Sequence, residues 1–405
     1  MCFFSLIAMS FGIGYADEFH YNNLLIGDRA SGMGGAYTAI SDDASGLYYN
    51  PAGIVYSSGR NLSASVNAYY NLTKTYNNAI GSSDWVRTSS SLLPNYFGIV
   101  QPLGKYKFGF SYAVSDSAQE DQDQTFSNPP GMTVGGLPVT QYVINFNNQN
   151  ATYNVGPSLA AEVTSKLAVG ATLYFYQKNN QFILNEIKTT AVNTQYFQNN
   201  AYYTREENGI RPMLGVMWSP IDKLSLGVAV SQVYLLSSKT YGQQNLVTSG
   251  TATLSQFHVT DKRKYPLQVR AGAAYFATKN WLLSADASYY SKVENPTFGE
   301  SNVSVTNIAL GTEYYLSNAW AFRGGLFTNM ANTPAVTTDP NTSPEEHVNI
   351  FGGSASISTF TRNTSVTLGA SMSSGKGQAH ITGGTGIQDL QTQGWTVSLS
   401  STYSY

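Results

Sequence analysis

The residues best suited to binding chemistry are charged side chains that recur at alternate positions among apolar ones. If their segments are β-strands, one face carries Arg211, Arg270, Asp286, Glu313 and Arg323 together with Met213, Met217, Phe276 and Tyr315. A guanidinium beside flexible methionines suits a ligand with a carboxylate head and an apolar tail. The candidate ligand-binding residues of this face are Arg211, Met213, Met217, Arg270, Phe276 and Arg323. The alternative is structural, with these charges pairing with one another or with Arg29, Asp42 and Asp43.

Other groups of reactive residues do not indicate catalysis. The histidines, which are His20, His258, His347 and His380, show neither zinc-ligand spacing nor a partner for a nucleophile. The glycine-rich run 32–35 lacks a preceding strand and a following helix, so it is not a phosphate loop. Glu120, Asp121 and Asp123 fit a solvated loop better than a calcium site. A net charge of −2 does not indicate a nucleic-acid partner. We expect no enzyme activity, cofactor or metal.

The elements that position these residues are predicted to be strands, because apolar and small polar residues alternate with a period of two. In one such segment Leu224, Leu226, Val228 and Val230 alternate with serine, glycine and alanine. About 14 strands are predicted, at 61–72, 93–102, 106–116, 151–163, 166–178, 207–219, 223–235, 264–277, 281–291, 303–315, 319–328, 348–358, 363–373 and 394–405. An even number of strands with both ends on one side is typical of bacterial membrane barrels.

Composition and connections favour a membrane barrel over a soluble sandwich. Only 11% of the 405 residues are charged, against roughly a quarter in soluble proteins, and no stretch after the first residues is apolar for long enough to form a spanning helix. The chain contains 29 Tyr, 19 Phe and 5 Trp, many of them at strand ends, where interfacial girdles need them. Tight turns, as at Gly104-Lys105 and Ser165-Lys166, alternate with long links. The fold class is therefore all-β, a transmembrane antiparallel barrel in a Gram-negative outer membrane.

The N-terminus indicates export. An apolar run from Phe3 to Ile13 precedes Gly14-Tyr15-Ala16, which predicts a signal peptide at 1–16 with cleavage near Ala16, although the usual basic residues are missing. The one cysteine, Cys2, lies in this segment, so the mature chain forms no disulfide.

A segment rich in Gly and Ala, residues 27–54, separates the signal from the first strand. Its small side chains let a backbone pack inside a narrow lumen, and Asn50-Pro51 forces an extended or turn conformation before the wall. We predict a plug at 17–58 and the barrel at 59–405. The segment resembles the hatch of the FadL-like transporters of Gram-negative outer membranes, which carry long-chain fatty acids or aromatic hydrocarbons. The matching residues are Arg29, Gly32, Gly35, Ala36, Asp42, Asp43, Ala44, Asn50, Pro51 and Ala52.

The resemblance implies a mechanism and a set of gating residues. A hydrophobic ligand, caught by external loops, enters the lumen, displaces part of the hatch and leaves sideways into the membrane without an energy source. The implied gating residues are Arg29, Asp42, Asp43, Asn50, Pro51 and Ala52. The substrate most in keeping with the resemblance is a long-chain fatty acid.

One connection, 179–206, is unusually apolar for an exposed loop and is a candidate capture site. Its candidate ligand-binding residues are Phe182, Ile183, Leu184, Ile187 and Phe197. The alternative is that they pack against neighbouring loops and close the top of the barrel. The expected partners are a hydrophobic small molecule, outer-membrane lipid and lipopolysaccharide, and the expected state is a monomer. A second possible function is a scaffold or secretion-associated barrel that docks protein partners through loops such as 117–150.

Overall fold

The computed structural model describes residues 18–57, 59–339, 343–381 and 386–404. The predicted signal peptide, its cleavage site and Cys2 lie outside these residues. The strands of the described chain are β1 Asn61–Ile80, β2 Ser83–Leu103, β3 Tyr106–Ser127, β4 Thr133–Val134, β5 Leu137–Thr164, β6 Leu167–Thr190, β7 Tyr196–Ile221, β8 Leu224–Ser231, β9 Tyr234–Thr248, β10 Thr251–Val259, β11 Gln268–Thr278, β12 Trp281–Tyr290, β13 Val293–Asn295, β14 Glu300–Asn302, β15 Val305–Ser317, β16 Trp320–Asn329, β17 Glu346–Phe360, β18 Thr364–Ala379 and β19 Gln388–Ser404.

Within the described residues, fourteen strands close into one antiparallel barrel. They are β1, β2, β3, β5, β6, β7, β8, β11, β12, β15, β16, β17, β18 and β19. Each pairs with its neighbours in chain order, and β19 returns to pair with β1. The predicted fold is confirmed. The predicted tight turns are also present at one end, where Gly104 has a φ of 60° that favours glycine.

Several strands extend much further from the short-turn end than predicted. The segments 117–150 and 179–206, expected to be loops, are largely strand: β3 pairs with β5 up to Ser127↔Gln141, and β6 pairs with β7 up to Thr189↔Tyr196. The prediction of loops was wrong there. Outside the lipid both faces of a strand can be polar, so Asn, Gln and Thr residues form the ladder without apolar alternation.

The outer face of the barrel carries an apolar belt near the short-turn end. Phe175 is 66% exposed, Leu214 66% and Leu326 63%, and each lies on the face opposite the buried inward residues of its strand. A closed barrel has no unpaired edge, and such a belt suits contact with lipid acyl chains. The architecture is that of an outer-membrane β-barrel.

Residues 18–57, the described segment before β1, lie inside the lumen and form the hatch. It contains the short helices α1 Asp28–Gly32 and α2 Gly46–Tyr49 and the 3₁₀ helix Pro51–Tyr56; a further 3₁₀ turn, Pro296–Phe298, lies outside it. Side chains throughout the hatch, including Met33, Tyr37, Leu47 and Ile54, are fully buried. Among the described residues, no helix is both long enough and apolar enough to span a membrane.

Candidate functional site

The Asn-Pro-Ala segment of the hatch is fastened to the barrel wall. Asn50 Nδ2 donates to the carbonyl oxygens of Thr38 (2.9 Å) and Val216 (3.0 Å), the latter on β7. Asn50 Oδ1 accepts from the N–H of Ala52 (3.1 Å) and so caps the 3₁₀ helix, which begins at Pro51. One side chain therefore joins the hatch to itself and to the wall.

Glycines of the barrel wall allow the Asn-Pro-Ala segment to pack closely against the strands. A Cβ on Gly215 would lie 2.1 Å from Asn50 Oδ1, and one on Gly170 would lie 2.5 Å from the nitrogen of Ala52. A Cβ on Gly325 would likewise lie 2.2 Å from the nitrogen of Gly34. The sequence reasoning missed these residues. The available signal was a glycine at an inward position of an otherwise apolar strand, which marks close backbone approach.

Arg29 links the hatch to another part of the wall, at β15 and β16. Its Nη2 lies 2.5 Å from Glu313 Oε2 on β15, and its Nη1 pairs with Asp42 of the hatch. Arg323 on β16 donates from Nε to Glu313 Oε1 at 2.7 Å. Glu313 is 1% exposed, so its charge is balanced by the two guanidiniums and not by water.

Two further inward charges, Asp286 and Arg270, also hold the hatch. Asp286 on β12 accepts from the N–H groups of Tyr37 (2.9 Å) and Thr38 (2.7 Å). Arg270 on β11 donates to the carbonyl oxygen of Tyr48 at 3.0 Å, and its guanidinium lies 5.2 Å from the ring centres of Tyr48 and Tyr49. These are fixed polar contacts to a folded segment, which is the structural role that the sequence left open.

The other predicted lumen residues are placed as follows. Arg211 on β7 donates to Gln268 Oε1 at 2.8 Å and lies 5.3 Å from the ring centre of Tyr48. Met213 and Met217 are buried, at 2% and 3% exposure. Phe276 does not belong to the buried lining, because it is 40% exposed close to the turn between β11 and β12. Asp43 stays within the hatch and accepts from the N–H of Ser45 at 2.7 Å.

The predicted capture residues lie in the long β6–β7 hairpin. Phe182 is 2% exposed and packs edge-to-face on Phe146 with ring centres 5.3 Å apart, in an apolar cluster that gathers residues from β1, β5, β7 and β17. Leu184 and Phe197 pack against the same cluster, whereas Ile187 is 36% exposed. Packing of Phe182, Leu184 and Phe197 against neighbouring strands is therefore observed. Ligand binding by these residues stays a prediction.

The ladder between β2 and β3 is interrupted at mid-height. Pairing runs from Leu103↔Tyr106 to Tyr96↔Ala113 and resumes only at Ser89↔Glu120. Each strand carries one extra residue at the break: Asn95 relative to β1, and Ser115 relative to β5. Because each strand has one extra residue, β2 and β3 separate at the two bulges but keep the same register on both sides of the break. We call this break the window.

The first part of the hatch covers the window from inside. Asn23 Nδ2 donates to Asp116 Oδ1 at 3.0 Å, and Asn95 Nδ2 donates to the carbonyl oxygen of Leu25 at 3.1 Å. A cavity of about 50 Å³ adjoins the window, with Leu24, Leu25 and Ser115 in its lining. A second cavity, of about 60 Å³, lies between the same segment and the wall at β16–β19 and β1.

The hatch begins in a cluster of charges on the outer side. Glu18 Oε1 lies 2.7 Å from Lys178 Nζ, and Oε2 lies 3.1 Å from Arg263 Nη1 and 3.6 Å from Arg205 Nη1. Burial alone raises the pKa of Glu18, but the attraction of Arg263, Lys178 and Arg205 outweighs it and lowers the pKa well below the usual range. Glu18 is thus an ionised anchor. Among the described residues, no group of three or more His, Cys, Asp or Glu is arranged to hold a metal.

Comparisons with known proteins identify the fold. No family model and no curated protein sequence matches the chain. A FadL homologue from Pseudomonas aeruginosa is similar in structure, with a TM-score of 0.63 and 14% identity over 95% of this chain and 99% of that one. The toluene transporter TodX of P. putida gives 0.65 at 14% identity, and the toluene transporter TbuX of Ralstonia pickettii gives 0.62 at 15%, both with the same coverage of 95% and 99%. The chain therefore shares the fold of these three proteins along nearly its whole length.

Proposed function

We propose that the chain is a passive outer-membrane channel for hydrophobic small molecules, which leave the lumen sideways through the window between β2 and β3. The observation that carries the proposal is the position of the window. It opens beside a cavity in the lumen and is covered by a hatch segment that side-chain hydrogen bonds hold in place. A poorly soluble molecule that exits there enters lipid directly and avoids exposure of its apolar surface to water.

The hatch supports a sideways path. Its 3₁₀ helix packs against β3, β5, β6 and β7, and its backbone touches wall glycines, so the lower lumen is filled by a rigidly seated element. The segment 22–26 is held differently, by side-chain hydrogen bonds such as Asn23 to Asp116. A small movement of this segment uncovers the window, whereas a path straight through the barrel requires the 3₁₀ helix and the Asn-Pro-Ala segment to leave the wall.

Long-chain fatty acids are the substrate class that we propose first. The window contains six unpaired residues of each strand, 90–95 of β2 and 114–119 of β3, a length of roughly 20 Å that accommodates an extended acyl chain. Its inner rim is polar, with Asn23, Asn95 and Asp116, and suits a headgroup. Two of the similar structures are described as toluene transporters, so a small aromatic hydrocarbon is the second substrate to test.

Uptake by whole cells tests the proposal. Cells that lack their own transporter and express the chain would be given labelled palmitate or labelled toluene, beside an empty-vector control. We expect uptake of palmitate above the control, with toluene uptake showing whether small aromatics share the path. No uptake of either, with the folded barrel confirmed at the cell surface, would contradict the channel and favour a barrel that docks protein partners.

A further inference from the structure

The outer part of the β2–β3 seam, beyond the window, is joined differently from its neighbours. The pairs Tyr96↔Ala113 and Ser89↔Glu120 belong to the same register, yet Ser89↔Glu120 is the one ladder pair of these two described strands beyond the window. On the flanks the ladders continue, since β1 pairs with β2 through Tyr76↔Trp85 and β3 pairs with β5 through Asp123↔Asn145. The two hairpins are complete, and the seam between them is not.

Side chains take the place of the ladder along this seam. Arg87 donates to Glu120 Oε2 from Nε (3.2 Å) and Nη2 (2.5 Å). Gln122 Nε2 donates to the carbonyl oxygen of Thr88 at 3.0 Å, and Gln124 Nε2 donates to that of Val86 at 2.6 Å. We call Arg87, Glu120, Gln122 and Gln124 the clasp.

The side-chain bonds of the clasp are sheltered from water, yet they can break while the neighbouring ladders stay intact. Arg87 is 1% exposed and Glu120 3%, and the guanidinium lies 4.3 Å from the ring centre of Phe146, so the ion pair is sheltered from water. Each strand keeps its other ladder, so parting the clasp leaves no strand unsupported. A side-chain bridge also parts without breaking a cooperative row of backbone hydrogen bonds.

The two faces of the window differ in polarity. On the lumen side Asp116 accepts from Asn23 and Asn150, whereas on the outer side Leu92 is 72% exposed and Phe97 41%. A molecule lying in the window would meet polar groups on the lumen side and lipid on the outer side. This split lining matches an amphiphile with a polar head and a single tail.

We propose that the clasp releases so that the window opens to the outer rim, and that this longer slot passes single-chain amphiphiles whose headgroups are too large for the window alone. Such a molecule passes along the opened seam to the window, where its tail reaches lipid and its head stays on the lumen side. Arg87 and Glu120 are then specificity-determining residues. The transport consequence rests on the proposed channel function, whereas the opening of the seam does not.

Distance measurements between spin labels test the opening by itself. Labels at Val86→Cys and Asp123→Cys, which occupy facing positions of the seam, report its width in lipid nanodiscs. Labels at Asp123→Cys and Asn145→Cys at the same height span an intact ladder and are the matched control. We expect a second, longer distance across the seam, enriched by added lysophosphatidylcholine, and one unchanged distance in the control. A single distance across the seam, unaltered by lysophosphatidylcholine, would overturn the proposal.

Cross-linking the same pairs tests the transport consequence. With a short thiol cross-linker, the Val86–Asp123 pair should lose most uptake of labelled lysophosphatidylcholine and keep that of palmitate, and the Asp123–Asn145 pair should keep both. Equal lysophosphatidylcholine uptake with and without the seam cross-link would overturn the role in specificity. Absence of both palmitate and toluene uptake in the parent chain would instead refute the channel function, and the spin-label distances would still decide whether the clasp opens.

Discussion

Asn50 of the hatch donates a hydrogen bond to the carbonyl oxygen of Val216 in β7, at 3.0 Å. A buried amide thus ties the plug to the wall at the point where Gly215 lets the two backbones approach. Because the bond joins residues 166 positions apart in the chain, it depends on the docking of the hatch against β7.

Asn50→Ala is expected to loosen the hatch without unfolding the barrel. The change removes two donated hydrogen bonds and the cap on Ala52, at a cost of about 1–3 kcal/mol to the seating of the hatch. Uptake of palmitate should change while the folded barrel keeps its slow migration in unheated electrophoresis. Unaltered uptake by a folded Asn50→Ala/Pro51→Ala double variant would argue against gating by this segment.

Two adjacent glycines of β16 allow a matched test of the close contact between the hatch and the wall. Gly325→Ala places a Cβ 2.2 Å from the nitrogen of Gly34, whereas the nearest atom to a Cβ on Gly324 is 3.7 Å away. We expect Gly325→Ala to expose hatch residues to limited proteolysis and Gly324→Ala to resemble the parent. The same proteolysis pattern in both variants would show that close approach at Gly325 does not hold the hatch.

Glu313→Ala is expected to be strongly destabilising. It leaves Arg29 and Arg323 buried without their shared carboxylate, and breaking a buried pair costs about 3–5 kcal/mol. The midpoint of urea unfolding in lipid vesicles measures this loss. Lys292→Ala, which removes a solvent-exposed ion pair with Glu294, is the control and should leave the midpoint unchanged. Similar midpoints for the two variants would contradict the structural role of Glu313.

Deleting Asn95 and Ser115 together is expected to close the window. Each is the extra residue of its strand, so the double deletion restores the ladder of β2 with β3 and preserves the outer ladders with β1 and β5. Palmitate uptake should fall to the level of the empty vector, while surface display is maintained. Full uptake by the correctly displayed deletion variant would place the exit elsewhere.

Glu18 should make the start of the hatch sensitive to acid. Its pKa is lowered on folding, so its contribution is present above the ordinary value of 4.5 and is lost as the pH falls toward the lowered pKa. Hydrogen exchange of residues 18–26 should therefore speed up below about pH 4.5 in the parent, after correction for the intrinsic rate. Glu18→Gln should already exchange quickly at neutral pH. Equal exchange rates in the parent and Glu18→Gln at neutral pH would show that Glu18 does not hold the start of the hatch in place.

Two sequence signals predicted most of the fold. Alternation along segments such as 223–231 fixed which faces meet lipid, because side chains of a strand point alternately to opposite sides. Short turns such as Gly104-Lys105 separated the two ends of the barrel. The extended hairpins of β3, β5, β6 and β7 escaped prediction. The outer part of β3 is polar on both faces, and the outer part of β6 has apolar residues at consecutive positions, Phe182, Ile183 and Leu184, so neither shows a clear period of two.

For the candidate site, the sequence determined that a Gly- and Ala-rich segment with Asn50-Pro51-Ala52 must pack in a confined space, because small side chains and proline restrict the chain locally. Only the tertiary structure decided which wall residues receive it. Gly170 and Gly215 contact Asn50-Pro51-Ala52, Asp286 accepts hydrogen bonds from Tyr37 and Thr38, and the bulges at Asn95 and Ser115 fall at the same break between β2 and β3. These partners are distant in sequence. Their contacts depend on strand register and barrel closure, which no local pattern of residues encodes.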